Sequence, residues 1–260
     1  MRKATRTNLV LAFVAAVLGA LAWWQVRGEV ATREPPLTTI DTDAVADIHV
    51  QCAGCVERRF TRTPGGWRMT APYALDADPT AIARLLAIAD ASVRLREPVE
   101  RYDLAKIGLE PPTMTLELDT TRIAIGSTDA LRGERYVQDG ARIARVPDRF
   151  SPFLVATPES ELDRHLVARA AEVRSARVDG VGVPALAAAW REVRATRITP
   201  SDASAPAGSR RIDLDFADGT STTWHVQRRA DGWVARRDDP ALDYHLADAD
   251  AARVVGTDVR

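Results

Sequence analysis

Residues 114–150, MTLELDTTRIAIGSTDALRGERYVQDGARIARVPDRF, read as a small antiparallel sheet and decide the fold class. Met114, Leu116 and Leu118 alternate with Thr115, Glu117 and Asp119, the period of a strand with one wet face. Three more short strands are predicted: 122–125 before Gly126, 135–138 before Asp139-Gly140, and 142–146 before Pro147. Asp-Gly between alternating runs is a hairpin signal. The rhythm returns at residues 212–248, IDLDFADGTSTTWHVQRRADGWVARRDDPALDYHLAD. Leu116 aligns with Leu214 at an offset of 98, and Tyr136-Val137 with Trp233-Val234 at 97. Upstream, VADIHVQCAG from Val45 aligns with VRSARVDGVG from Val173 at 128. The second copy therefore lacks about thirty residues, roughly the Cys-containing hairpin and the extended piece after it. A competing alignment pairs Gly66-Trp67 with Gly232-Trp233.

The chain of 260 residues is long enough for two small domains, and the repeat favours two. With 35 Lys+Arg against 36 Asp+Glu the formal charge is −1, which provides no field to recruit nucleic acid. Lys occurs only at Lys3 and Lys106, and the Arg are scattered among acids rather than gathered in a stripe. A local excess at Arg58, Arg59, Arg62 and Arg68 reads as a solvated strand face.

Residues 9–26, LVLAFVAAVLGALAWWQV, follow a basic start at Arg2, Lys3 and Arg6. Eighteen helical residues span roughly 27 Å, close to the hydrocarbon thickness of a bilayer. Trp23 and Trp24 stand where an aromatic belt belongs, and the basic start places the N-terminus in the cytoplasm. The expectation is a single membrane anchor, residues 1–27, with the rest of the chain exported. A cleaved signal peptide ending near Ala20-Leu21-Ala22 is the alternative. Residues 28–42, with Pro35-Pro36, read as a tether, followed by modules at 43–157 and 158–260.

Inside the first module, strands are predicted around Ile48 and Val50, from Val56 through Arg62, and from Trp67 to Thr70, the last two joined by a turn at 63–66. Asp78 and Pro79 open a helix with Ile82, Leu85 and Leu86 on one face. Residues 102–112, YDLAKIGLEPP, read as a short helical turn. Thr157-Pro158-Glu159 opens a predicted helix carrying Leu162, Leu166 and Val167, and the second module's own helix is expected at 184–194. Residues 201–209 read as a polar loop.

Cys52 and Cys55 are the only cysteines, and an oxidising compartment makes a disulfide the expectation. Two intervening residues suit a tight hairpin, whose flanking Cα atoms lie near 5.5 Å. A thioredoxin-like centre would place the pair at a helix start, whereas the residues after Cys55 alternate as a strand. His49, His165, His225 and His245 are dispersed, with no i, i+4 pair to build a zinc site; a metal role for His49 beside the cysteines is the weaker option. Asp213, Asp215, Asp218 and Gly219 have a faint calcium-loop spacing, but Leu214 and Phe216 between them favour a strand running into a turn. Asp76 with Asp78, and Asp248 with Asp250, are the paired carboxylates, and Asp78 already has a role as a cap. Nucleophile-elbow, zinc-protease, P-loop and dinucleotide motifs are absent from the sequence. Trp67, Trp190, Trp224 and Trp233 offer stacking surfaces for a glycan or pack a core.

Gly65-Gly66-Trp67 with Pro72, the Asp78-led helix, residues 107–112 (IGLEPP), Ile125-Gly126 and Tyr136-Val137 resemble the bacterial family catalogued as domain of unknown function 4340. The likeness covers most of residues 40–157 and, more loosely, the remainder. Ile107 stands where that pattern has an aromatic, and the cysteine pair is outside it. The resemblance implies a membrane-anchored protein encoded beside ABC-type transport systems of the gliding-motility kind, and it carries over no catalytic residue and no cofactor. The expectation is an α+β protein: an N-terminal transmembrane helix, then two tandem modules, each an antiparallel meander with a packed helix. Its expected role is a non-enzymatic accessory subunit in the inner membrane, contacting partners such as ABC transporter subunits from the periplasm. The alternatives are a periplasmic thiol-disulfide or metal-binding protein centred on Cys52, Cys55 and His49, and a module that binds cell-wall glycan.

Overall fold

Two antiparallel β-sheets and a few helices make up the computed structural model, which describes residues 15–20, 23, 35–201 and 208–256. The first sheet comprises β1 (Asp47–Cys52), β2 (Arg58–Thr63), β3 (Gly66–Ala71), β4 (Leu75–Asp76), β5 (Leu95–Pro98), β6 (Met114–Leu118), β7 (Thr121–Asp129), β8 (Glu134–Asp139) and β9 (Arg142–Pro147), in the order β4-β3-β2-β1-β6-β7-β8-β9-β5. The second comprises β10 (Val173–Val178), β11 (Val181–Gly182), β12 (Arg197–Pro200), β13 (Arg210–Phe216), β14 (Ser221–Arg229), β15 (Gly232–Arg237) and β16 (Leu242–Leu246), in the order β11-β10-β13-β14-β15-β16-β12. The helices are α1 (Pro79–Leu86), α2 (Ser151–Leu154), α3 (Leu186–Glu192) and α4 (Asp248–Val255). In each sheet the chain passes through a helix, lays down the far edge strand (β5 or β12), and returns to the centre to begin a four-stranded meander. Only the two-residue β11 stands where the first sheet has β2, β3 and β4, which accounts for the shortfall between the two halves of the sequence.

The alternation sets the inner faces. In the first sheet Val50 pairs with Leu116, Leu116 with Ile123, Ile125 with Val137 and Val137 with Ala144, and all are buried in one core. In the second sheet Ala176 pairs with Leu214, and Val226 and Tyr244 flank Ala235. Val137 thus corresponds to Ala235 rather than Val234, a one-residue correction to the sequence alignment that exchanges the two faces of the strand. The upstream correspondence also slips, by two residues: Val50 and Ala176 hold equivalent places opposite Leu116 and Leu214. Asp78 caps α1 by accepting from the backbone N–H of Thr80 (2.7 Å) and Ala81 (3.2 Å), and Ile82 and Leu85 are buried beneath it.

Residues 102–112 form successive turns on the opposite face of the first sheet. There Leu109, Ala124 and Ile143 form a second small core with Tyr102, Ile107 and Tyr136 packed against it. The turn approaches the sheet so closely that the Ser127 backbone N–H donates to the Ile107 carbonyl at 2.7 Å. A Cβ on Gly126 would lie 2.3 Å from that carbonyl oxygen, so only glycine fits. The Ile-Gly pair at 125–126 and the Ile-Gly-Leu at 107–109 are two sides of one contact.

Other expectations differ. No α-helix begins at Thr157: a 3-10 turn, Pro158–Glu161, gives way to extended chain that bridges Ala77 to Leu162 and His165 to Arg194. Backbone pairing with the first sheet's margin and with residues 193–195 overrides the helical spacing of Leu162 and Leu166. The stretch read as a tether is packed by Leu37, which is fully buried, while Pro36 bridges to Ser92. Residues 15–20 and 23 are helical, but most of the apolar run lies outside the described residues. Among the described residues no helix is long and apolar enough to cross a membrane.

Candidate functional site

The segment joining the two sheets, residues 158–167, carries three buried acids at alternating positions: Glu159, Glu161 and Asp163. Each is held by groups brought from elsewhere. Tyr73 donates its hydroxyl to Glu159. Arg58 on β2 pairs with Glu161 at 2.8 Å and donates further to the carbonyls of Phe153 (3.2 Å) and Leu154. Asp163 accepts from the Arg169 Nε and from the His165 ring, both at 2.7 Å. Backbone bonds complete the joint, from Asp78 N–H to the Glu161 carbonyl, from Asp163 N–H to the Asp76 carbonyl, and from Ala195 N–H to the Arg164 carbonyl. The segment therefore pairs with the first sheet's margin on one side and with residues 193–195 on the other.

Burial pushes the Glu161 carboxyl up to about 7 against the pull of Arg58. For Asp163, burial raises the pKa, but the His165 ring and backbone and the Arg169 charge outweigh it and hold the group below the usual carboxylate range. Burial, then the Glu159 hydrogen bond and charge, raise the Tyr73 hydroxyl. The local Arg excess read as a solvated face is thus wrong for Arg58, which has no exposed surface. Its parity with Phe60 on the alternating strand was the available signal.

Beside this joint, between the sheets, lies a cleft of about 300 Å³. The first sheet contributes Arg68, Leu75 and Asp76; the second contributes Thr222, Trp224, Arg237 and Tyr244; Asp163 and His165 form the junction. Trp224 packs between Trp190 and Tyr244, with ring centroids 5.4 and 5.1 Å apart. Burial drives the Tyr244 hydroxyl up to about 12; Arg237 pulls it down, and Asp163 and Asp76 push it up. Tyr244 is consequently a hydrogen-bond donor at neutral pH. In the sequence Trp224 is one of four generic aromatics, and Arg237 and Tyr244 carry no local signal, because cross-strand neighbours become visible only with the register.

The residues that the sequence singled out lie elsewhere, and the structure does not gather them. Cys52 and Cys55 stand at disulfide distance, with Cα atoms 5.4 Å apart across a turn at the end of β1; β2 begins only at Arg58. His49 is engaged at both ring nitrogens, by Glu117 at 3.0 Å and Glu57 at 2.8 Å. Among the described residues no group of three or more His, Cys, Asp or Glu could hold a metal ion. Asp213 accepts from Thr223, Asp215 from Ser175 and Arg177, and Asp218 from Thr220, so the calcium-loop spacing resolves into a strand and a turn. Asp76 pairs with Arg68 while Asp78 caps α1, and Asp248 and Asp250 occupy the first turn of α4. Trp190 and Trp224 are buried, and Arg62 lies over Trp67 at 5.2 Å. Residues 202–207 of the polar loop lie outside the described residues.

A sequence model described as Domain of unknown function (DUF4340) matches residues 67–254. The chain belongs to the DUF4340 family. The match takes in the Gly126 contact, the joining segment and the walls of the cleft, and it begins after the cysteine pair. Neither the curated proteins nor the solved structures compared with this DUF4340 chain contain a match.

Proposed function

We propose that this DUF4340 protein is a non-enzymatic accessory subunit held in the bacterial inner membrane. In this reading residues 1–27 are a cytoplasmic tail and membrane-spanning segment, 28–42 lead from it and dock on the first module through Leu37, and 43–157 and 158–260 are two tandem α+β modules in the periplasm. The modules act by contact with membrane-protein partners, such as the subunits of an ABC-type transport system. The observation that carries the reading is how the candidate chemical groups are engaged. The cysteines close a turn, and each of the four imidazoles rests against carboxylates or hydroxyls: His49 on Glu57 and Glu117, His165 on Asp163, His225 on Asp238 and Ser209, and His245 on Asp231 and Thr199. A body stitched across two sheets suits a rigid contact platform, and the apolar run at residues 9–26 suits an anchor.

Protease added to intact spheroplasts is expected to degrade the body of the protein while the membrane stays sealed. A body that survives until the cells are lysed would contradict the proposed orientation. Turnover of a substrate by the purified chain would contradict the accessory role.

A further inference from the structure

The cleft between the sheets contains hydrogen-bond donors with nothing to donate to. Trp224 and Arg237 are direct cross-strand partners, and Tyr244 lies two positions from Leu242, the other partner of Arg237, so the three share one face. All three line the cleft. The Trp224 indole N–H is buried without an acceptor. Arg237 gives its Nε to the Asp239 carbonyl at 2.6 Å, and no carboxylate among the described residues meets its terminal nitrogens. The Tyr244 hydroxyl has no hydrogen-bond partner among the described residues.

The acids on the same walls are already occupied. Arg68 holds Asp76 at 3.4 Å, His165 and Arg169 hold Asp163, and Asp218 accepts from both the backbone N–H and the hydroxyl of Thr220. Trp224, Arg237 and Tyr244 therefore bring donor capacity that nothing on the walls takes up, and native interiors seldom leave a buried group such as the Trp224 N–H unmet. We propose that the cleft is a binding site for a small oxyanion, a carboxylate or a phosphate group, gripped by Arg237 and hydrogen-bonded by Tyr244 and Trp224. A guanidinium presents paired N–H groups that match the geometry of either anion. Leu75, Leu166, Val167 and Phe216 provide an apolar surface for the remainder of the ligand, and the cleft volume restricts that remainder to a small molecule. This inference goes beyond the accessory role and does not depend on the membrane anchor.

The test is a titration of the full chain in detergent micelles at constant ionic strength, followed by intrinsic tryptophan fluorescence and melting temperature. The probes are citrate, inorganic phosphate and, as a neutral control, glucose. Saturable binding of citrate or phosphate, weakened about ten- to a hundred-fold in Arg237→Gln, is the expected result, that being the worth of a charged hydrogen bond. Which anion saturates at the lower concentration distinguishes a carboxylate from a phosphate ligand. Tyr244→Phe, which keeps the ring packing, should weaken the same probe by a smaller factor and provides the test if Arg237→Gln fails to fold. Absence of saturation by both anions, equal saturation by glucose, or binding unchanged in both variants would overturn the proposal.

Discussion

Arg58 and Glu161 form a fully desolvated ion pair, and such pairs are costly to halve. Removing one partner leaves a buried charge uncompensated, a loss of about 3–5 kcal/mol, whereas replacing both with apolar groups of similar volume is often neutral or better. Glu161→Leu, which strands the Arg58 charge, should therefore lower the urea midpoint sharply, and Glu161→Leu combined with Arg58→Met should recover most of the loss. Full destabilisation persisting in the double variant would show that the three carbonyl and carboxylate contacts of Arg58 do not act through the pair. The pH dependence follows from the same site. The Glu161 carboxyl, raised to about 7 in the fold, titrates near 4.3 when unfolded. Its contribution is fully present below about pH 4.3 and is lost as the pH rises through 7. Asp163 has the opposite sign: its depressed pKa supports stability above its unfolded value, about 3.9, and that support fades as the pH falls further. Urea midpoints of Glu161→Gln measured between pH 4.3 and 7 should accordingly vary less with pH than those of the unaltered chain. An equal slope in both would refute the assignment. The cluster of arginines reads in the sequence as a solvated face, and only the parity of Arg58 with Phe60 points inward; the identity of its partner, 103 residues away, had no local signal.

At the scale of elements, short-range patterns were the legible part. The alternation of residues 114–118, the Asp78 cap and the Asp139-Gly140 turn all specify structure through neighbours in the chain, and each stands where the pattern puts it. The segment 158–167 defeated the same reasoning. Its helical spacing of apolar residues is real, but its backbone groups are claimed by strand margins from both halves, a pairing of high sequence separation. The Ile107 and Gly126 contact was legible as a recurring motif, without its cause. That cause predicts that Gly126→Ala should cost about 1–3 kcal/mol, the usual penalty for overpacking, because the obstacle is a backbone carbonyl rather than a flexible side chain. Gly133→Ala, whose added Cβ meets nothing, is the control for a left-handed glycine and should cost about 1–2 kcal/mol through backbone conformation alone. Thermal denaturation compares the two. A Gly126→Ala protein as stable as the unaltered chain would mean that residues 103–109 are not docked. Opening the turn held by Cys52 and Cys55 should remove only about 2 kcal/mol, since the closed loop is short. A Cys52→Ser and Cys55→Ser double variant that unfolds outright would contradict that modest role.

At the scale of the molecule, the two halves share a strand order because their alternation and turn spacing agree, and that likeness could be seen in the sequence before any register was known. Registers were less legible: choosing Val234 over Ala235 is a slip of one position, yet it exchanges the inner and outer faces of β15. The cleft was not legible at all, because Trp224, Arg237 and Tyr244 converge only when three strands are aligned and the first sheet closes over them. What remains is the proposed role of the assembled body. Crosslinking in intact cells, followed by affinity purification of the full chain from solubilised membranes, tests that role most directly. An ABC-type permease or its companion subunits should come with it, crosslinked to the exposed surface of the two sheets. Recovery of the chain alone, under conditions that retain other membrane complexes, would contradict the accessory role.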